Sequence, residues 1–129
     1  MEHVIVKDSK IHGKGVFASR KFKKGEVVLK WNTSHEVTPE QVKDLPENEK
    51  RYVTYMDRKY IIMQRPERYV NHSCDANTTA KNHCDIAKRD INKGEEITAD
   101  YSEECIPSLR MKCNCGSKKC RRIITARED

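Results

Sequence analysis

Four cysteines have the residue type and spacing of a metal site. Cys113, Cys115 and Cys120 form a C-x-C-x4-C cluster near the end of the chain, and Cys74 stands alone in an Asn-His-Ser-Cys stretch. A tetrahedral zinc site takes four ligands, and thiolate sulfur is among those that zinc prefers. Because the cluster supplies three, the fourth has to come from elsewhere. If that ligand is Cys74, metal binding ties the tail to the segment that holds the Asn-His pair.

The rest of the composition favours metal or free thiols over disulfides. Six cysteines could form a disulfide set in a secreted chain, but no apolar secretory segment follows Met1. No run approaches the ~20 apolar residues of a membrane span. The 129 residues, 36% hydrophobic and 36% charged, predict one domain with a modest core. We therefore expect an intracellular protein, cytoplasmic or nuclear, with no membrane partner.

Charge is unevenly distributed along the chain. The formal net charge is +6, and residues 108–129 hold seven basic against two acidic residues. Residues 36–49 run the other way, with five acidic residues and one lysine. Both runs are compatible with plain solvated surface. They are equally compatible with a polarised surface that steers a charged macromolecule.

Short β-like runs separated by turn residues dominate the pattern, so we predict a mainly β fold with few short helices. The predicted strands are Val4–Val6, Gly15–Ser19, Glu26–Trp31, Arg51–Met56, Lys59–Met63, Asn77–Ala80 and Glu95–Tyr101. One helix start is clear, because Thr38 can cap, Pro39 suits the first position and Gln41 completes a capping box. Pro46 should end that helix early. A single helical turn is predicted at residues 67–70.

Two segments share one turn chemistry. Residues 20–28 and residues 89–97 each place an apolar residue three positions before a glycine, which is followed by Glu and a strand. In each, the glycine supplies the positive φ of a tight turn that enters the strand. The shared stretch is too short to indicate a domain repeat.

Four motifs in order resemble the SET-domain protein lysine methyltransferases. They are His-Gly-Lys-Gly-Val-Phe-Ala at 12–18, Arg-Tyr-Val-Asn-His-Ser-Cys at 68–74, Gly-Glu-Glu-Ile-Thr-Ala-Asp-Tyr at 94–101, and the cysteine-rich tail. The resemblance implies a SET fold of small sheets with a knot-like C-terminal segment and a zinc-stapled post-SET tail. Residues 1–107 would form the SET domain, with a short insert at about 32–65, and residues 108–129 the tail. The implied activity is methyl transfer from S-adenosylmethionine to a lysine ε-amine.

The same resemblance implies a cofactor site. The backbone of Gly13, Lys14 and Gly15 would cradle the methionine end of the cofactor, although a Gly-x-Gly alone indicates an ordinary hairpin turn. Asn71 and His72 resemble the pair that contacts the cofactor's amino group and adenine. Two softer candidates lie nearby: Arg68, which could equally form a surface salt bridge, and Tyr52. Tyr55 could take the place of Tyr52, and an ordinary packed strand is an equal alternative for this segment.

Tyr101 resembles the catalytic tyrosine of the family. Methyl transfer is an in-line displacement, so the protein mainly aligns a neutral amine behind the sulfonium methyl. A lysine, with a pKa near ~10.4 in water, must first lose a proton, and an apolar channel beside a cation favours that loss. No dedicated base is evident in the motifs. Ala99 stands where the family often has Phe or Tyr, and the extra room favours di- or trimethylation.

By the resemblance, Cys74, Cys113, Cys115 and Cys120 bind a structural Zn2+, since four thiolates leave no open position. Cys84 and Cys105 are then free or buried thiols. The acidic insert suits a basic protein substrate with a target lysine, such as a histone. The rival hypothesis is a zinc-stapled basic module that binds nucleic acid or a protein partner through its tail without catalysis. The tail's lack of interleaved aromatic residues counts against single-strand binding.

Overall fold

The computed structural model describes residues 3–11, 13–101, 110–112, 120 and 123–125. The strands are β1 Val4–Asp8, β2 Lys14–Ala18, β3 Val27–Lys30, β4 Glu36–Val37, β5 Val53–Met56, β6 Lys59–Ile62, β7 Asn71–His72, β8 Thr78–Lys81, β9 Cys84–Ala87, β10 Glu96–Ala99, β11 Arg110–Lys112 and β12 Ile123–Thr125. The helices are α1 Pro39–Asp44 and α2 Glu47–Lys50, with a 3-10 turn at Glu67–Tyr69. The predicted mainly β architecture with short helices is confirmed. None of the helices within these residues is long and apolar enough to cross a membrane.

The sheet that matters most for function has the strand order β1-β2-β10-β7. Strands β1 and β2 pair antiparallel, and β10 pairs antiparallel with β2. On its other side β10 pairs in parallel with β7, so that Thr98 lies opposite Asn71 and Ala99 opposite His72. Because parallel neighbours need a long connection, this pairing joins segments that are far apart in sequence.

A second sheet, ordered β3-β9-β8, contributes side chains to the same core as the first. The core between them consists of apolar side chains that are almost completely buried: Val16, Ala18, Phe22, Val28, Leu29, Val70, Ala87, Ile91, Ile97 and Ala99. In β10, Ile97 and Ala99 share one face of the strand, as the period of two requires. Strand β10 therefore has a fixed depth and register at the point where it approaches β7.

The two similar turn segments contact each other. Phe22 and Ile91 exchange backbone hydrogen bonds of 2.9 and 2.8 Å, and both side chains are buried. The glycines that follow have φ of +91° at Gly25 and +89° at Gly94, as predicted. Gly25 N–H donates to the Ala87 carbonyl at 2.8 Å, and Gly94 N–H donates to the Ala18 carbonyl at 2.8 Å. Each turn therefore anchors the start of its strand to the neighbouring strand of the same sheet.

The insert forms a separate small sheet, ordered β4-β6-β5. Helix α1 follows β4 and has the predicted capping box: Thr38 Oγ1 accepts from Gln41 N–H at 3.1 Å, and Gln41 Oε1 accepts from Thr38 N–H at 2.8 Å. The helix ends at Asp44, just before Pro46. The turn at Glu67–Tyr69 was also predicted. Strands β4, β7, β9, β11 and β12 were not.

Candidate functional site

The parallel pairing of β7 with β10 brings two sequence motifs together. Asn71 and His72, 6% and 2% exposed, lie beside the strand that leads into Tyr101. Ser73 N–H continues the ladder by donating to the Ala99 carbonyl at 3.0 Å. Separately, Asn77 holds the following loop to β10, because its Oδ1 accepts from Thr98 N–H at 2.9 Å. The site is therefore built on paired strands that the core holds in place.

Tyr101 is held at both of its polar ends. Its hydroxyl donates to the Val70 carbonyl at 2.5 Å, and its backbone N–H donates to His72 Nδ1 at 3.0 Å. The His72 and Tyr101 rings meet edge to face, with centroids 5.4 Å apart. Because the phenolic proton goes to Val70, the hydroxyl oxygen can offer acceptor lone pairs to a reacting group. The tyrosine is thus positioned to orient a donor rather than to supply a proton.

His72 links the tyrosine to a predicted metal ligand. Since Nδ1 accepts from Tyr101 N–H, we assign the proton of the neutral ring to Nε2. That Nε2 lies 3.3 Å from Cys74 Sγ. Asp100 Oδ1 lies 3.6 Å from Nδ1. Because Nδ1 accepts from Tyr101 N–H, it carries no proton that it could donate to this carboxylate. The imidazole therefore connects β7, Tyr101 and Cys74.

The glycine loop packs against a carboxylate that the sequence did not single out. Glu96 accepts from the Ser9 hydroxyl at 2.8 Å and from Asn71 Nδ2 at 3.0 Å. A Cβ placed on Gly15 would lie 2.5 Å from Glu96 Oε2 and 2.8 Å from Ser9 Cβ, so a larger residue would force both side chains to shift. Asn71 Nδ2 also donates to the Lys14 carbonyl at 2.9 Å. The only sequence signal for Glu96 was the second Glu of the Gly-Glu-Glu motif.

These contacts assign the loop residues different tasks. Gly15 is favoured by the close approach of Ser9 and Glu96, whereas Gly13 has φ of +43° and no atom within 4 Å of the position that a Cβ would take. The backbone at Gly13 is thus accessible to a ligand, as a cradle requires. Asn71 pins the loop through Nδ2.

The softer candidates, Arg68 and Tyr52, form a cluster with residues of the insert. Arg68 bonds Glu49 at 2.6 Å and the Met63 carbonyl at 3.0 Å, and its guanidinium lies 4.2 Å from the Tyr52 ring centroid. Tyr52 in turn meets Tyr69 edge to face, with centroids 5.9 Å apart. Both candidates are therefore structurally engaged with the insert, and their contact with a cofactor stays a prediction.

Tyr55, the alternative to Tyr52, lies in a different environment. It is 40% exposed and packs on Tyr60 in the insert sheet, with ring centroids 5.0 Å apart. Of the two tyrosines, Tyr52 is the one that adjoins the segment leading into Asn71.

Only part of the predicted zinc site can be located. Cys74 and Cys120 are half-buried thiols, while Cys113 and Cys115 lie outside the described residues. Cys84 is also a half-buried free thiol, whose Sγ lies 3.4 Å from the Asn82 carbonyl, and Cys105 lies outside the described residues. No group of three metal-ligating side chains occurs within the described part of the chain. The zinc assignment therefore stays a prediction.

One acidic group away from this site is strongly perturbed. Burial raises the pKa of Asp85 to about 7, the Trp31 indole N–H at 3.0 Å lowers it in part, and the Glu67 charge raises it further. Glu67 itself is 7% exposed and accepts from Asn32 N–H at 2.7 Å. Asp85 and Glu67 accept from Trp31 and Asn32, the two residues that follow β3. This acidic pair therefore belongs to the scaffold.

Comparison with known proteins identifies the fold and the family. The SET-domain family model matches residues 13–102. Histone-lysine N-methyltransferase set1 of Dictyostelium discoideum is 35% identical over 137 residues, and human histone-lysine N-methyltransferase 2B is 31% identical over 142 residues. These alignments cover 90% and 95% of this chain but only 9% and 5% of the relatives.

A solved structure supports the same fold. The crystal structure of a Plasmodium falciparum protein assigned as a histone methyltransferase superposes with a TM-score of 0.66 at 21% identity, covering 78% of this chain and 94% of the other. The family match spans more than half of the chain and includes the glycine loop, β7 and β10. The chain is a member of the SET-domain family.

Proposed function

We propose that this chain transfers a methyl group from S-adenosylmethionine to the ε-amine of a lysine in a protein substrate. One observation carries the proposal: the parallel β7–β10 pairing brings Asn71, His72 and the doubly anchored Tyr101 together. The relatives that match over almost the whole chain are histone-lysine methyltransferases. They support a histone as the substrate and the nucleus as the location.

The side chains at the site suit a transfer that needs alignment more than proton movement. S-adenosylmethionine, when bound, supplies an electrophilic sulfonium methyl. Tyr101 would orient the incoming amine through its hydroxyl oxygen, whose direction is set by the Val70 carbonyl. His72 keeps the tyrosine backbone in place through Nδ1. The amine must arrive neutral, and the apolar core beside Ala99, which is 3% exposed, favours the neutral form.

The cofactor would bind between the glycine loop and β7. The backbone at Gly13 is open, and Asn71 holds Lys14 and Glu96 so that the loop keeps its shape. Tyr52, from the insert, and Arg68, from the 3-10 turn, would border the same site. The acidic run at residues 36–49 includes β4 and α1, and it would attract a basic peptide.

We further propose that Cys74, Cys113, Cys115 and Cys120 hold one structural zinc. The donor set suits zinc, because four thiolates complete a closed tetrahedron. An Nε2–H of His72 at 3.3 Å from Cys74 Sγ would stabilise the thiolate as an outer hydrogen bond. The post-SET assignment of residues 108–129 rests on the same proposal.

The zinc proposal has a matched test. Cys120→Ser should lower the zinc content from about one per chain to near zero, because one of four ligands is lost. Cys84→Ser, which removes a thiol assigned no metal, should retain the zinc. Elemental analysis of both purified variants measures the result directly. Full zinc in Cys120→Ser, or loss of zinc in Cys84→Ser, would show that the ligands are assigned wrongly.

The methyl transfer is tested with labelled cofactor. Purified protein is incubated with a panel of histones and S-adenosylmethionine that carries a deuterated methyl group, and the products are mapped by mass spectrometry. We expect label on lysine side chains of at least one histone. Cofactor binding by the same protein is first established by calorimetry. Label on arginine, or on no residue, would then contradict the proposed function.

A further inference from the structure

The two turn segments combine two basic runs into one surface. Pairing of Phe22 with Ile91 lays residues 20–25 alongside residues 88–93, and we call these two stretches the turn patch. Together they contain Arg20, Lys21, Lys23, Lys24, Lys88, Arg89 and Lys93. In the sequence these cations form two separate groups, whereas the fold makes the groups neighbours.

The carboxylates around the turn patch are already engaged. Glu26 accepts from Lys23 N–H at 2.8 Å and pairs with Arg20 at 3.1 Å. Asp90 accepts from Lys24 N–H at 2.9 Å and lies 4.0 Å from the Lys21 ammonium. Glu95 Oε1 accepts from Asn92 N–H at 3.3 Å. These acids are used to close the turns and to pair with Arg20 and Lys21.

Four lysines of the turn patch therefore have no carboxylate of the described residues within ion-pair distance. Within the described part of the chain, no ion pair involves Lys23, Lys24, Lys88 or Lys93, and all four residues are exposed. Arg89, by contrast, lies 3.6 Å from the Asp75 carboxylate. Close packing of like charges is unfavourable in the free protein, and an anionic partner would relieve it.

The turn patch lies away from the methyl-transfer site. Gly94 precedes β10 and Tyr101 follows it, so seven residues of mostly extended chain separate them by roughly 20 Å. An anion bound at the turn patch would not occupy the cofactor loop. The acidic insert, at residues 36–49, belongs to a different sheet. The two charged surfaces can therefore serve different partners.

The chemistry of the turn patch favours a phosphate backbone. Its only aromatic side chain, Phe22, is 1% exposed, and Ile91 is 0% exposed. No stacking platform for single-stranded bases is present, nor an apolar wedge for a lipid surface, among these residues. Lysines on rigid turns instead suit the regularly spaced charges of a duplex. We propose that the turn patch binds the phosphate backbone of double-stranded nucleic acid without reading its sequence.

Salt dependence gives the expected size of the effect. Each phosphate contact contributes about 0.9 to the slope of log affinity against log salt, so four lysines contribute about 3.6. Between about 50 and about 200 mM salt, the wild type should lose roughly 150-fold more affinity than a variant without these contacts. Whatever the basic tail contributes is common to both proteins and cancels in the difference.

The experiment compares two variants of equal net charge. One carries Lys23→Gln, Lys24→Gln, Lys88→Gln and Lys93→Gln. The control carries Lys7→Gln, Lys10→Gln, Lys30→Gln and Lys81→Gln, which replaces four exposed lysines outside both the turn patch and the acidic insert. Affinity for a labelled duplex of about 20 base pairs is measured by fluorescence anisotropy across the salt range. We expect the slope of log affinity against log salt to be shallower by about 3.6 in the first variant than in wild type. The control should keep the wild-type slope.

Several results would overturn the proposal. If both variants lose affinity equally, binding follows net charge or the tail and not this surface. Tighter binding to a single strand, or equal binding to anionic vesicles, would assign the surface to another partner. Absence of wild-type binding at low salt would reject it outright. Methylation of a free histone peptide should be equal in all three proteins, so a failure of this proposal is distinguishable from a failure of the proposed function.

Discussion

Two arms of the molecule begin with the same device and end differently. The first arm runs from Arg20 to Trp31 through β3, and the second runs from Arg89 to Tyr101 through β10. In both, a four-residue strand follows the same three features. These are a buried apolar residue, a glycine with positive φ, and a Glu side chain that accepts a backbone N–H of the turn. Local sequence therefore specifies the start of each arm.

The difference lies in where each strand sits. Among the described strands, β3 is at the edge of its sheet and pairs with β9, whereas β10 lies between β2 and β7. The first arm ends at Trp31, whose indole donates to buried Asp85 at 3.0 Å. The second ends at Tyr101, which donates two hydrogen bonds. Its backbone N–H donates to His72 in β7, and its hydroxyl donates to the carbonyl of Val70, the residue before β7. The same turn therefore leads into a candidate active site only where its strand, β10, is paired on both sides.

The largest expected effect is on stability, at Asp85, the residue of β9 that accepts from Trp31 at the end of the first arm. Asp85, with a pKa of about 7 against an ordinary 3.8, keeps its proton in the folded chain at pH values where the unfolded chain has lost it. Its contribution is therefore fully present below about pH 4 and is lost as pH rises through 7. Asp85→Asn removes this dependence while keeping an acceptor for Trp31.

The change is measured as a difference between proteins. From about pH 4 to about pH 8, the unfolding free energy of Asp85→Asn relative to wild type should rise by up to about 4 kcal/mol. Denaturant titrations at each pH give both values, and other titrating groups cancel. A pH-independent difference would mean that Asp85 is ionised in the folded state. Methyl transfer by folded protein at neutral pH should be nearly unchanged.

The next largest effect is expected from a phenylalanine substituted at matching positions of the two arms. Ala99 and Lys30 each lie five residues after the turn glycine of their arm, but Ala99 is 3% exposed whereas Lys30 faces solvent. Ala99→Phe should cost about 1–3 kcal/mol by overpacking and shift the product toward monomethyl-lysine. Lys30→Phe should do neither. Mass spectrometry of the product and thermal unfolding test both, and an unchanged product distribution would show that Ala99 does not border the methyl group.

The features that could be predicted from the sequence are the local ones. The turn glycines, the Thr38 capping box and the 3-10 turn depend on residues within one turn of each other. Strand β9 was missed because Asp85, a buried acid, interrupts its apolar pattern. Strand β7 is two polar residues long, and its parallel pairing with β10 is a long-range contact with no local signature. The anchoring contacts of Glu96 and His72 follow from that pairing and could not be predicted.

The smallest expected effect distinguishes the two turns. An alanine at Gly25 or Gly94 would meet no atom within 4 Å, so each substitution costs only the strain of a positive φ, about 1–2 kcal/mol. We expect equal losses of unfolding free energy. Because only Gly94 precedes β10, Gly94→Ala alone should lower kcat/KM, by about threefold to tenfold. Equal kinetics in the two variants would mean that the start of β10 does not set the position of Tyr101.

The most direct test of the account removes one hydrogen-bond donor at the end of each arm. Tyr101→Phe and Trp31→Phe are compared with wild type for kcat/KM on a histone peptide and for S-adenosylmethionine affinity by calorimetry. We predict that Tyr101→Phe binds the cofactor normally but loses on the order of a hundredfold in kcat/KM, while Trp31→Phe stays within about twofold of wild type. Wild-type turnover by Tyr101→Phe would contradict the claim that this tyrosine, held by β7, aligns the methyl transfer.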